Sequence, residues 1–267
     1  MTQVIQRVPP GHYRVKHVVK SEILKIMTLR STAITVGLTV IAGLLVTWLV
    51  TRSNLHQGSG FYIGFDPTQN SLTGMIVAGL TGGVFGALLV TGEYSSGTVR
   101  LSLAATPKRP ILLAAKIGVA SVATLVFCEL LSFASFFLGQ AVLSAGGAPS
   151  ASLGSPGALR AVVMTGAFIA LMALMSFGLG LILRNTAGAI AGFVGIIFVL
   201  PLVMHGISEH DLRYVPTNIL SNSIMSTVNQ GPGINQPVSP AIGLLLMAIY
   251  AAVALGAGAV LFVRRDA

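Results

Sequence analysis

Charge is what this chain has least of. Of its 267 residues only 9% are Asp, Glu, Lys or Arg, while 54% are hydrophobic, and the mean hydropathy is +0.85. A soluble domain of this length cannot cover such a core with so little polar surface, so a water-soluble fold is excluded. There is a single cysteine, Cys128, set in an apolar run. That rules out an intrachain disulfide and a zinc-finger type of site, and Cys128 reads as a small buried apolar residue. No Gly-x-x-x-x-Gly-Lys-Ser/Thr run occurs, nor any Gly-Lys pair, so the chain has no phosphate-binding loop of that kind. The ten-residue alternation of an outer-membrane barrel is missing too, as is any internal repeat of the sort that builds many secondary transporters.

What is present is a set of long apolar blocks. Six are long enough, at roughly 20 residues, to cross a hydrocarbon layer of about 30 Å as helices; they fall at 31–51, 71–91, 111–142, 161–183, 187–206 and 240–263. Lipid offers no partner to a free amide, so each is expected to be helical. The predicted fold is all-α: a polytopic membrane protein with a cytosolic segment 1–30, a six-span domain 31–263 and a short tail 264–267. About thirty basic and polar residues precede the first block and no A-x-A-like site follows it, so that block is expected to be a permanent anchor and not a cleaved signal.

The 16 Lys and Arg against 7 Asp and Glu suggest nucleic acid until their positions are read. Arg7, Arg14, Lys16, Lys20, Lys25 and Arg30 precede span 1; Arg100, Lys108, Arg109 and Lys116 follow span 2; Arg184, Arg264 and Arg265 follow spans 4 and 6. Only Arg52, Arg160 and Arg213 lie in the other loops. The positive-inside rule therefore places both termini in the cytosol and accounts for the charge without nucleic acid.

Two cytosolic segments stand out. From Tyr13 to Arg30, Val15, Val18, Val19, Ile23, Ile26 and Leu29 form one stripe, with His17, Lys20, Ser21, Lys25 and Thr28 opposite; this predicts an amphipathic helix along the membrane surface, either a passive anchor drawn to anionic lipid or a surface that also contacts a partner. After span 2, Thr98 is placed to open a short helix that Pro107 ends, with Lys116 snorkelling from the start of span 3. Val99, Leu101 and Leu103 in that loop need a cover, from this chain or another protein.

Within the spans, Glu129 is the conspicuous charge, read as a paired structural group or as part of a conduit. His205, Glu209, His210 and Asp211 read as a polar rim and not a metal site. Gly166, Gly178, Gly180, Gly188, Gly192 and Gly195 suggest close helix packing. Phe85, Phe136, Met172, Phe177, Phe193 and Phe198 suit either packing or an apolar path. Arg184, Asn185 and Thr186 predict a tight hairpin between spans 4 and 5. The loop 207–239 is long and partly apolar, fit either to re-enter the membrane or to lie on its surface. The cytosolic segments hold only Glu22, Glu93 and Asp266 as acids and His12 and His17 as imidazoles, too few for an active site, so no catalytic residues, cofactor or metal are expected on this chain.

Several of these residues resemble a known family. Ser21-Glu22-Ile23-Leu24-Lys25 through Leu29-Arg30-Ser31-Thr32, then Gly92-Glu93-Tyr94-Ser95-Ser96-Gly97-Thr98-Val99-Arg100 with Leu103-Ala104-Ala105-Thr106-Pro107-Lys108-Arg109 and Lys116, and lastly Arg213-Tyr214-Val215-Pro216-Thr217-Asn218, are similar to the membrane permease subunits of type-2 ABC exporters, in particular the compact six-span permeases of actinobacteria. The resemblance implies a connecting helix that includes Lys20, Glu22 and Lys25. It also implies a coupling helix, with Glu93, Thr98, Val99, Arg100, Leu101 and Leu103, that seats in a separate ATP-binding subunit. It further implies two such subunits, which hold the ATP and magnesium, a second copy or paralogue of this chain, and export of a small amphipathic drug-like, antibiotic or lipid-like compound across the bacterial cytoplasmic membrane. The alternative from another class, an ion-gradient-driven transporter or small channel, calls for charge pairs or broken helices within the spans; apart from Glu129 and Pro201 these are lacking.

Overall fold

The computed structural model describes residues 15–55, 64–105, 109–207, 209–226 and 238–264. Among these no strand occurs, and six helical stretches are long and apolar enough to cross a membrane: Arg30–Asn54, Pro67–Ser95, Arg109–Ala145, Ala158–Leu183, Thr186–Ile207 and Pro240–Arg264. Each lies within a few residues of its predicted span and extends past it, because helices continue into the polar caps that hydropathy leaves out.

In chain order, α1 (Val15–Thr28) ends at Leu29, whose extended backbone (φ −72°, ψ 122°) separates it from α2 (Arg30–Asn54), the first span. The second span is composite. Asp66 caps α3 (Pro67–Leu72), its Oδ1 accepting from the Thr68 and Gln69 amides at 2.9 and 3.2 Å. Pro67 opens the helix where no amide is needed, and α4 (Gly74–Ser95) follows. A short α5 (Thr98–Ala105) precedes α6 (Arg109–Ala145) and α7 (Ala158–Leu183). The fifth span joins α8 (Thr186–Val194), a π turn (Gly195–Val199) and α9 (Leu200–Ile207). A 3-10 turn (Glu209–Tyr214) and α10 (Pro216–Ser223) lead to α11 (Pro240–Arg264).

α7 is the centre of the bundle, packed against α4, α6, α8 and α11; in its most apolar stretch 72% of residues are buried, against 17% in the first and fifth spans. Close approach there depends on small residues. A Cβ on Gly86 would strike the Ala173 carbonyl, and one on Gly178 the backbone of Ala254. Gly166 and Gly180 are likewise contact points, but Gly188 and Gly192 touch only side chains at 3.7 Å or more and Gly195 meets nothing. The expected packing role thus holds in span 4 and fails in span 5. The aromatic alternative resolves as well: Phe85, Phe136, Met172, Phe177 and Phe193 are core residues, while Phe198 is exposed.

The predicted hairpin forms at Arg184, which ends α7 in the left-handed region (φ 53°), while the Asn185 side chain accepts from the Gly188 amide at 2.9 Å to start α8. The π turn has a local cause. Pro201 offers no amide to the Ile197 carbonyl, and Thr217 Oγ1 from α10 donates to it instead at 2.8 Å. α10 is itself inserted in the bundle, with Ile219 beside Gly243 and Leu220 beside Gly79, so this part of the 207–239 loop packs inside the fold and not on its surface. Residues 227–237 of the loop lie outside the described residues.

Candidate functional site

α1 turns Glu22 and Lys25, and little of its apolar stripe, toward the rest of the bundle. Val18, Glu22 and Lys25, at i, i+4 and i+7, face inward; Val18 and Glu22 are buried, whereas Val15, Ile23 and Leu29 are exposed. The reason lies in what Glu22 and Lys25 meet. Lys116 Nζ, from the second turn of α6, donates to Glu22 Oε2 at 2.7 Å and to Glu93 Oε1 near the end of α4 at 2.5 Å. Lys25 Nζ donates to Glu22 Oε1 at 2.8 Å, to Glu93 Oε1 at 3.2 Å and to Ser102 Oγ of α5 at 3.0 Å. Lys116 is therefore not the snorkelling residue its position suggested: at 5% exposure it is turned inward, because two carboxylates await it there.

Two acids and two lysines alternate, so the cluster carries no net charge, which is the condition under which ions tolerate burial. Leu89, Val119, Ala120 and Phe177 close over it, leaving a void of about 20 Å³. Burial by itself raises the pKa of Glu22, but the ammonium groups of Lys116 and Lys25 outweigh it and hold the carboxyl below its ordinary 4.5. For Lys25 burial acts downward, and Glu22 and Glu93 outweigh it and lift the ammonium above its ordinary 10.5. Glu22 and Lys25 thus stay charged through the neutral range.

α5 hangs from this cluster. After the left-handed Gly97 (φ 71°), Thr98 shares a hydrogen bond with Ser96 Oγ at 3.0 Å and donates to the Glu93 carbonyl at 3.5 Å. Val99 is covered by the chain itself, Ser102 is held by Lys25, and Leu101 projects outward at 72% exposure. The side chains of Arg100 and Leu103, and residues 106–108, lie outside the described residues. Beside the cluster the Arg184 guanidinium sits 5.5 Å over the Tyr94 ring and Thr186 Oγ1 donates to Thr91 Oγ1 at 2.9 Å, tying the α7–α8 hairpin to the end of α4.

Glu22, Lys25 and Glu93 are thus brought together; Lys20 is not, standing exposed on another face of α1. Sequence reading gave Ser102 no role, and its only signal was a polar residue set between the apolar Leu101 and Leu103. Glu129 lies apart, half-buried against Gly166 and Ala167 of α7 with its Oε2 sealed from water and unpartnered. The polar residues that follow it on α6 bond elsewhere: Ser132 donates to the Val162 carbonyl, Ser135 to the Ser71 carbonyl and Gln140 to the Pro67 carbonyl.

Ser102 and Lys25 thus join α5 to α1, and Glu93 and Lys116 join α4 to α6. None of the curated proteins compared matches the chain. The family profile described as "ABC-2 family transporter protein" matches residues 17–267, from within α1 through the last span, and the chain belongs to that family of ABC transporter permeases.

Proposed function

We propose that the chain is the membrane-spanning subunit of an ATP-driven exporter and that the buried cluster of Glu22, Lys25, Glu93 and Lys116 is the joint through which it is driven. Permeases of this family have no ATPase site of their own and work with an ABC ATP-binding subunit. In this reading two such subunits, carrying the ATP and magnesium, seat against α5 through Leu101 and its neighbours, and the chain pairs with a second copy or a paralogue to enclose a path. Thirteen of the 16 Lys and Arg lie in the sequence segments before span 1, after spans 2 and 4 and after span 6, which supports a cytosolic position for both ends in a bacterial cytoplasmic membrane. An apolar cleft of about 550 Å³, lined by Met175, Leu179, Ile196, Met204, Tyr250 and Ala254, supports an amphipathic drug-like, antibiotic or lipid-like cargo.

The observation that carries the proposal is that one short helix has one side chain held in the cluster and the next projecting outward. The test is purification of the chain under gentle conditions from its own host, followed by transport in inverted vesicles. An ATP-binding subunit is expected to accompany it, and Glu93→Gln is expected to lower ATP-dependent uptake at least tenfold with that subunit still bound. Uptake that is unchanged in Glu93→Gln, or that follows an ion gradient without ATP, overturns the reading.

A further inference from the structure

α1 carries a third face that neither the cluster nor the coupling path uses. Val15, Val19, Ile23, Ile26 and Met27 form one wall of a groove whose other wall is the first half of α6, from Pro110 through Ala114, Gly118 and Val122 to Ala123. Its volume is about 880 Å³ and its lining is apolar throughout. Along α6 it runs roughly 20 Å at 1.5 Å per residue, enough to span one leaflet's share, about 15 Å, of the hydrocarbon layer. A Cβ added to Gly118 meets nothing within 4 Å, so the space lies open in front of that helix.

The charges around the groove are of one sign. At about 100° per residue, Lys16 and Lys20 stand roughly 50° and 90° round α1 from the middle of the groove wall, on the side away from the cluster. Both are exposed. Among the described residues the acids at this end of the bundle are Glu22 and Glu93, and both are engaged by Lys25 and Lys116. Lys16 and Lys20 are thus left without an acidic partner beside an apolar trough of acyl-chain length. We infer that the groove between α1 and α6 is a binding site for an anionic glycerophospholipid of the leaflet on the side of α1, with an acyl chain lying against Gly118 and the phosphate held by Lys16 and Lys20. The inference needs only the membrane setting of the family and is independent of the direction of transport.

The chain has one tryptophan, Trp48 in α2, near the opposite end of the bundle. Trp48→Phe combined with Ile23→Trp therefore gives a single reporter in the groove, at a position 43% exposed in the structure. The full chain, in vesicles of phosphatidylcholine doped with brominated lipid, is expected to show stronger quenching by brominated phosphatidylglycerol than by brominated phosphatidylcholine at equal mole fraction. The preference should be roughly fivefold for each lysine that engages the headgroup. Lys16→Gln with Lys20→Gln should abolish it, the two Lys→Arg changes should keep it, and Gly118→Leu should reduce quenching by both lipids. The native protein, reporting from Trp48, gives the value for unselected lipid. Equal quenching by the two lipids, or a preference that outlives both lysines, overturns the site. So does a reporter that neither lipid quenches, which would mean that protein, such as a second copy of the chain, fills the groove.

Discussion

At the end of the bundle that carries α1, two acids and two lysines meet, whereas at the opposite end the ties run between neutral groups or from a charged side chain to backbone. There Thr47 and Ser135 share a hydrogen bond of 2.6 Å, and Gln140 donates to the Pro67 carbonyl and to Ser71 Oγ at 3.0 and 2.9 Å while accepting from the Ala151 amide. Two charged side chains at that end, Asp66 and Arg160, bind backbone: Asp66 accepts from the Ser226 amide, and Arg160 donates to the Met225 and Ser226 carbonyls. Neutral bonds are short-ranged and tied to one geometry. Ion pairs act over longer distances and survive small displacements, but removing one member leaves its partners charged in a place that penalises charge. On the proposed function the first end acts as a joint, and the second, with its fixed geometries, as a clasp.

The largest effect expected from this difference is on the joint. Lys116→Met removes one of the two cations shared by Glu22 and Glu93 and leaves one buried negative charge in excess, which should cost about 3–5 kcal/mol, read as a lowered thermal midpoint in detergent. Adding Glu93→Gln should restore at least half of the loss, because the uncompensated charge goes with it. A cost under about 1 kcal/mol, the size of an exposed pair, would show that the cluster is not an electrostatic unit.

The clasp should respond to crowding and not to charge. A Cβ on Gly139 would run into Ser71, the residue to which Ser135 and Gln140 bond. Gly139→Val is therefore expected to cost about 1–3 kcal/mol, with the same loss at every pH between mild acid and neutrality. A loss that grew as the pH fell would mean that this end also depends on ionisation.

That contrast was only partly visible before the fold was known. The six spans, the Arg184 hairpin and α5 follow from lipid thickness and local turn chemistry, which act within a few residues, and so they were legible. The identity of the joint was not. Helical periodicity put Lys25 on the solvent side of α1 and let Lys116 snorkel, because periodicity scores each residue by its own polarity, whereas burial here is decided by partners 68 and 94 positions away. Glu129 was equally illegible: pairing and a conduit role were both open from sequence, and in the fold Ser132, Ser135 and Gln140 bond to other elements while the carboxyl lies against Gly166 and Ala167.

A smaller effect separates the ends by pH. Glu22 has its folded pKa below the ordinary 4.5, so its contribution is fully present above that value and is lost as the pH falls through the lower, folded one. Lys25 has its folded pKa above 10.5, so its contribution is present below that value and is lost as the pH rises through the higher one. The joint should therefore be flat in stability between these limits, with an acid limb that Glu22→Gln removes and Gly139→Val leaves in place. Thermal midpoints recorded from neutrality down into the acid range give the comparison, and an unchanged acid limb in Glu22→Gln would assign that limb to other carboxylates.

The smallest effect on the isolated chain is expected at Leu101, and for that reason it is the sharpest test of what the joint is for. The side chain is 72% exposed, so Leu101→Ser removes almost nothing from the folded bundle and should alter its stability by no more than about 0.5 kcal/mol. An exposed leucine on a short helix, next to a serine held by Lys25, has no evident use within the chain but is suited to a hydrophobic pocket of another subunit. Leu101→Ser should then weaken association with the ATP-binding subunit by about tenfold, which for burial of one aliphatic side chain is of the order of 1.5 kcal/mol, while leaving the acid limb and thermal midpoint of the permease unchanged. Ser102→Ala tests the other half of the linkage, since it frees Lys25 from α5 without touching the outward surface; it should preserve association and reduce transport per ATP hydrolysed. If both substitutions weaken association equally, α5 is a simple contact surface and the cluster beneath it serves stability alone.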